Sequence, residues 1–463
     1  MERLTPLATA FLDAEDEDPS SSLAIGALTV FQGPAPAFDE FVEAIERRLP
    51  LLPRYRQKLH TVPLDLGAPA WVDDPQFDVR WHIRNTALPS PGGREELNRL
   101  MARVMSGRMD RGRPLWEYWF VEGLSHGRWA FISKLHHSMV DGVSGSDIFR
   151  LVLDPTPEPR PAVEDRWQPT PPPSAPTMLA RSLWQLGAAP ATGAKVLATS
   201  LRAPRRLVRR AAQTAQGLAA ISLAANPASS SSLVGPIGRA RRYTSTTVSL
   251  DDVRSVRHAL GGTVNDVALT LVSGGFRELL LSRGEIPTEH MLRSLVPVST
   301  RPPGTESIPD NRVSLMLPYL PADIPDPVDR LDAVRRRIAT LRAGHEPEAG
   351  QSVTTIAEYG PFPPVAMGIR LAFHVPQRQI VTVTTNVPGP RITLYGLGRE
   401  VEELLPYVPI ADRVRIGVAM FSYRDKLTFG ITGDYNTVPD IEVLATGIRT
   451  AMDRLLAAAR RPA

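Results

Sequence analysis

The chain has 463 residues, a formal net charge of +4 and no cysteine. That length is too great for one ordinary domain and predicts two, each of roughly 200 residues with its own core, while the missing thiols exclude a disulfide framework, a thiolate metal site and a cysteine nucleophile. The mild positive excess is carried mostly by arginine and suits anionic lipid surfaces or phosphorylated ligands; with no zinc-finger, RNP or basic-zipper pattern beside it, nucleic acid is not an expected partner.

The opening segment MERLTPLATAFLDAEDEDPS has acidic residues where a secretory leader is apolar, and no later stretch runs about eighteen apolar residues without interruption. A cytoplasmic protein that does not span a membrane is the expectation. SSLAIGALTVF then reads as a strand, and DEFVEAIERRL places apolar residues at helical spacing. LWEYWFVEGL and RWAFISKLHH, rich in aromatic and β-branched residues, predict a hairpin that turns at Ser125, His126 and Gly127. Helical periodicity resumes in SGSDIFRLVLD.

Residues 154–176 are crowded with proline and predict a stiff extended connector that closes the first domain. The alanine-rich stretch 178–225, broken at Pro190 and Pro204, predicts two or three helices, and NPASSSSLVGPIG a flexible loop. The later part of the chain repeats the earlier grammar. VDRLDAVRRRIATLRAG reads as a helix, RQIVTVTTNVPGP as a strand ending in a turn, and RIGVAMFSY with KLTFGITGDY as a hairpin around Arg424 and Asp425. Two similar α/β halves predict a duplicated architecture with a site between them: an N-terminal domain over 1–165, a proline-rich and helical linker over 166–232, and a C-terminal domain over 233–463.

The residues with chemical capacity gather in HHSMVDG, where a predicted buried strand meets a helix. Strand alternation puts Phe131, Ser133, Leu135 and His137 on one face and His136 on the other, so the two histidines do different jobs. Asp141 follows His137 by one helical turn and is placed to organise the bend; Gly142 permits close backbone approach or a positive φ. An imidazole titrates near neutrality and, with its second nitrogen held, can take a proton from a hydroxyl. The same letters also fit a structural histidine pair satisfied by backbone carbonyls. A metal site fits them less well, because adjacent strand histidines diverge and no further ligands stand at suitable spacing.

HHxxxDG resembles the active-site motif of the coenzyme A-dependent acyltransferase superfamily. RGRPLWEYWFVEGL before it, GGTVNDVALTLVSGGFREL and LVPVSTR after the linker, and TTNVPGP with LYGLG narrow the likeness to the bacterial wax ester synthase/acyl-CoA:diacylglycerol acyltransferase family. AFLDAED and LGAPAWVDDPQFD draw it closest to the actinobacterial triacylglycerol synthases, across nearly the whole chain; Ala8 stands where many relatives carry aspartate.

The resemblance implies an α/β fold of two chloramphenicol-acetyltransferase-like domains with an interdomain tunnel. Long-chain acyl-CoA, a substrate rather than a cofactor, enters from one side and diacylglycerol or a long-chain alcohol from the other, with no cofactor and no metal. By the same resemblance His137 is the general base and Asp141 a structural partner of an arginine, with Arg56 and Arg301 as candidates. His136 faces the core. Amides near Gly142, or Asn265 of the VNDV segment, are candidate oxyanion donors; an Asn-Asp pair such as Asn265 and Asp266 is more often a cap or an interdomain hydrogen bond. Trp116 reads as core packing, and 386–390 as a turn in which Gly389 takes an unusual dihedral.

In the linker, Arg202, Arg205, Arg206, Arg209 and Arg210 precede a small apolar run. This pattern fits an interfacial helix on a membrane or lipid droplet, or a solvated basic face between the domains. A wax ester synthase, a carrier-fed acyltransferase and an inactive lipid-binding protein on the same fold are the rival functions.

Overall fold

The computed structural model describes residues 2–460 apart from 63–66, 140–148, 150, 175, 181, 183, 185–230, 300–312 and 344–379. The earlier part of the chain forms β1 (Glu2–Arg3), α1 (Pro6–Glu17), β2 (Ala24–Phe31), α2 (Phe38–Glu46), β3 (Gln57–His60), β4 (Ala70–Asp73), α3 (Val79–His82), β5 (Ile83–Ala87), α4 (Arg94–Ser106), β6 (Trp116–Glu122) and β7 (Trp129–His136). The later part forms β8 (Arg241–Ser249), α5 (Leu250–Leu260), α6 (Val264–Ser282), β9 (Ser294–Ser299), β10 (Val313–Met316), α7 (Pro327–Ala343), β11 (Thr382–Val387), β12 (Tyr395–Gly396), β13 (Arg399–Tyr407), β14 (Ile416–Tyr423), β15 (Lys426–Asp434) and α8 (Ile441–Ala459).

Local chemistry accounts for many of these boundaries. Pro6 opens α1 where no amide is needed, and Thr5 Oγ1 accepts the Ala8 N–H at 3.1 Å. Thr263 and Asp266 close a reciprocal capping box at the start of α6. Both predicted hairpins form: β6 and β7 are antiparallel, as are β14 and β15, the latter turning through Arg424 at a φ of 55°. The helix predicted over 328–344 is present as α7, Pro327–Ala343, and the predicted strand before the NVPGP turn as β11, ending at Val387.

Two six-stranded mixed sheets carry the fold, in the orders β12-β13-β2-β7-β6-β5 and β10-β9-β11-β14-β15-β8, beside a small β1-β4-β3 sheet. β7 lies within the first large sheet and is covered on both faces. Trp129, Phe131 and Leu135 join an aromatic core with Phe31, Phe41 and Trp116, in which the Phe31 and Trp129 rings stack at 4.1 Å. Ala130 and Ile132 join a second core with Met101 and Met105 of α4. Burying each large apolar side chain contributes about 1.5–3 kcal/mol, so a strand shielded on both sides is a rigid support for the turn at its C-terminal end. Lys134, also buried, donates to the Val104 and Gly107 carbonyls at the end of α4.

β13, from the later part of the chain, pairs antiparallel with β2 and so completes the sheet that contains β7. Near this crossing the two large sheets approach closely. A Cβ on Gly430 of β15 would stand 1.8 Å from the Pro406 carbonyl oxygen of β13, a separation only glycine permits. Tyr243 Oη donates to that same carbonyl at 2.9 Å, and buried Arg241 of β8 reaches the Ser20 carbonyl at 2.6 Å. Arg94 at the start of α4 pairs with Glu403 of β13.

The proline-rich stretch runs without regular structure and exposed over most of its length between Pro155 and Ser174. Several contacts tie it down: Arg56 grips Asp165 at 2.8 and 2.5 Å, the Thr170 N–H donates to Asp73 Oδ2 at 2.9 Å, and Arg160 pairs with Asp154 at 3.0 Å. Of the predicted helical stretch 144–154, residues 144–148 and 150 lie outside the described residues, and its end is not helical: Leu151 and Val152 form a turn and Asp154 bridges to Tyr395. The arginines from Arg202 to Arg210 also lie outside the described residues.

Candidate active site

β7 ends at His136, and residues 137–139 turn at once into a single 3-10 turn. The two histidine amides remain anchored: the His136 N–H donates to the Leu115 carbonyl at 2.9 Å and the His137 N–H to the Leu23 carbonyl at 3.1 Å. The imidazole pair is therefore set by the segments on either side of β7.

The rings face different partners, as strand alternation requires. His136 is buried; its Nδ1 receives the Ser138 N–H at 3.1 Å and lies 2.7 Å from Ser138 Oγ. An Nδ1 that accepts leaves the ring proton on Nε2, which lies 3.4 Å from Glu15 Oε1 of α1. Glu15 is itself buried, accepts the Leu23 N–H at 2.6 Å and meets Arg111 at 3.3 Å. Despite the cost of its burial, these contacts hold the Glu15 carboxyl at about 2, well below the usual carboxylate range, with the His136 contact the largest lowering cause.

His137 keeps part of its surface open. Its ring stacks on Phe11 with centroids 4.1 Å apart and an interplanar angle of 30°. Desolvation is the largest cause that lowers its pKa, from 6.5 to about 4. The imidazole is thus neutral at physiological pH, with a lone pair available to take a proton.

The other predicted residues fall in different places. Asp141, Gly142 and Arg301 lie outside the described residues. Arg56, a candidate partner for Asp141, is committed to Asp165 and stacks its guanidinium 4.9 Å from the Trp167 ring centre. Asn265, in the first turn of α6, accepts a 3.0 Å hydrogen bond from Asn386 Nδ2, joining the VNDV and NVPGP segments, while Asp266 serves the α6 cap. Trp116 is core, fully buried, with its Nε1 donating to the Tyr55 carbonyl at 2.8 Å and His82 stacked on it at 4.6 Å.

Gly389 departs from expectation. Its φ is not in the left-handed region; glycine is needed there because a Cβ would meet Ser422 O at 2.0 Å and the Phe421 ring at 2.6 Å. Glu15, Phe11 and Ser138 were missed from sequence. The only signal was the i, i+4 spacing of Phe11 and Glu15 in AFLDAED, which puts both on one helical face.

Known proteins match this chain along its whole length. Residues 4–268 match the wax ester synthase/diacylglycerol acyltransferase catalytic domain, and residues 310–456 the WS/DGAT C-terminal domain. A Mycobacterium tuberculosis protein named "Probable diacyglycerol O-acyltransferase tgs1" is 42% identical over 462 residues, covering 100% of this chain and 97% of that protein. The solved wax ester synthase/diacylglycerol acyltransferase from Marinobacter aquaeolei VT8 superposes with a TM-score of 0.67 at 26% identity, covering 99% of each chain. The first condensation domain of the CDA synthetase shares the fold, with a TM-score of 0.59 at 14% identity over 99% of this chain and 97% of that one. These neighbours bear out the two-domain, chloramphenicol-acetyltransferase-like α/β fold. The chain belongs to the wax ester synthase/diacylglycerol acyltransferase family and is an acyltransferase.

Proposed function

We propose that this enzyme moves a long acyl chain from coenzyme A to the free hydroxyl of diacylglycerol, making triacylglycerol, with His137 as the general base. The observation that carries this is a neutral, partly open imidazole at the second histidine of the motif, rigidly seated at the end of β7. The diacylglycerol acceptor is favoured by 42% identity to a protein named for that activity.

His137 takes the hydroxyl proton as the alcohol oxygen attacks the thioester carbonyl. The tetrahedral intermediate then collapses, the carbon–sulfur bond breaks, and the proton passes to the departing thiolate. Proton balance closes without a covalent enzyme intermediate, cofactor or metal. Two substrates meeting in an interdomain tunnel gain further rate from orientation. In this scheme Asp141 braces the turn after His137. Because Arg56 is held by Asp165, Arg301 is the remaining named candidate to engage it.

A long-chain alcohol acceptor is the second reading, favoured by likeness to the Marinobacter enzyme, whose name covers both activities. Purified protein given palmitoyl-CoA with diacylglycerol or with hexadecanol separates the two. Faster formation of triacylglycerol supports the first reading; preferential formation of wax ester supports the second, and no ester from either removes both. Among the described residues no helix is long and apolar enough to cross a membrane. Access to a water-insoluble acceptor is proposed to come from peripheral attachment to a membrane or lipid droplet through the basic linker.

The depressed pKa of His137 gives a further expectation. Its catalytic form is the neutral one, so kcat/KM should stay level as pH falls from 8 to about 5 and drop only near 4. Over that range the unfolded chain takes up a proton at the ordinary histidine pKa that the folded chain refuses, so stability falls as pH decreases from about 6.5 toward 4. Circular dichroism at each pH separates unfolding from the kinetic limb. An acid limb near 6.5 in folded protein would overturn the depressed pKa and leave a histidine of ordinary pKa as the base.

A further inference from the structure

The opening helix meets both histidines of the motif, though it lies far from them in sequence. Its two contacts are one turn apart: Phe11 stacks on the His137 ring, and Glu15 faces His136 Nε2. A second route runs through Leu23. Its N–H donates to Glu15 Oε1 at 2.6 Å, and its carbonyl accepts the His137 N–H at 3.1 Å. One buried carboxylate thus restrains the His136 ring directly and the His137 backbone through a single intervening residue. Arg111 holds the helix in place, donating to the Leu12 carbonyl at 2.8 Å and pairing with Asp16 at 2.7 Å as well as with Glu15.

We propose that α1 is a positioning clamp for the catalytic turn, in which Glu15 selects the Nε2–H tautomer of His136 and fixes the Leu23 peptide, and Phe11 sets the plane of the His137 ring. The clamp rests on His137 being the base. Glu15 and Phe11 are positioning residues; the reaction itself exchanges no proton with them. With the His136 proton on Nε2, 3.4 Å from Glu15 Oε1, its Nδ1 remains an acceptor for Ser138, which stiffens the backbone on both sides of His137. A base displaced by about 1 Å from its working position can lose on the order of 100-fold in rate.

The test compares Glu15→Ala, Glu15→Gln, Phe11→Leu and His137→Ala in the full-length enzyme, with palmitoyl-CoA and the better acceptor. Glu15→Ala is expected to lower kcat about 100-fold and leave both KM values within about twofold. Glu15→Gln keeps an acceptor oxygen for Leu23 and His136 and should recover to within about tenfold of wild type. Phe11→Leu, which retains apolar volume but not the stacked ring, should cost about tenfold in kcat; it also keeps the test decisive if Glu15→Ala does not fold.

Side-chain nitrogen-15 spectra of His136 give a readout independent of rate: a single Nε2–H tautomer in wild type and Glu15→Gln, and a mixture in Glu15→Ala. A folded Glu15→Ala enzyme with wild-type kcat overturns the clamp, as does loss of activity with the His136 tautomer unchanged. If His137→Ala is inactive in the same assays, that failure belongs to the clamp alone; if His137→Ala keeps wild-type rate, the base assignment has failed first.

Discussion

Replacing His137 by alanine should lower acyl transfer about 100- to 10,000-fold, the range that general-base assistance contributes, and leave the protein folded. The alcohol proton must leave as its oxygen attacks the thioester, and His137 is neutral and partly open at the end of a rigid strand. His136 is unable to substitute, because its Nδ1 is engaged by Ser138 and its Nε2 faces Glu15. The fold should tolerate the change, since the ring is stacked on one neighbour rather than sealed in a core. Paired measurement of CoA release and lipid product, with a melting curve, checks the result. A folded variant that retains more than about a tenth of wild-type turnover sinks the assignment.

Trp116→Ala should destabilise the protein by about 3–5 kcal/mol, the usual cost of truncating a large buried aromatic. Trp116 is fully buried, its indole N–H satisfies the Tyr55 carbonyl, and its ring supports both His82 and Tyr55. The cavity would open beside β7, whose Leu135 pairs directly with Trp116, so activity and stability should fall together. Urea unfolding followed by circular dichroism measures the change. A loss below about 1 kcal/mol would mean that the surrounding aromatic shell collapses into the gap.

Much of the local architecture was legible because its signals are short-range. The aromatic and β-branched runs around Ser125, His126 and Gly127, and those around Arg424 and Asp425, specify hairpins through alternation and turn chemistry alone. HHxxxDG was equally legible, as was the divergence of its two histidines, since side chains on a strand alternate whatever packs against them. The acidic residues of AFLDAEDED counted against a leader and toward the family likeness, but gave no sign that Glu15 among them is buried under the motif. Its role depends on which surface α1 packs against, and helical periodicity does not encode that.

By itself, then, the sequence determined the element types, the duplicated α/β grammar, the strand-to-turn setting of His136 and His137, and membership of a family of acyltransferases. Tertiary structure alone decided that β13 crosses to complete the sheet containing β7, that Gly430 and Gly389 are required by close approach, that Arg56 is taken by Asp165, and that Asn265 meets Asn386. The physical reason is common to all four. Periodicity, capping and turn preference act over a few residues, whereas sheet partners and buried polar pairs are settled when distant segments compete for the same apolar surface and hydrogen-bonding groups, and the winning arrangement is the one that satisfies both at once.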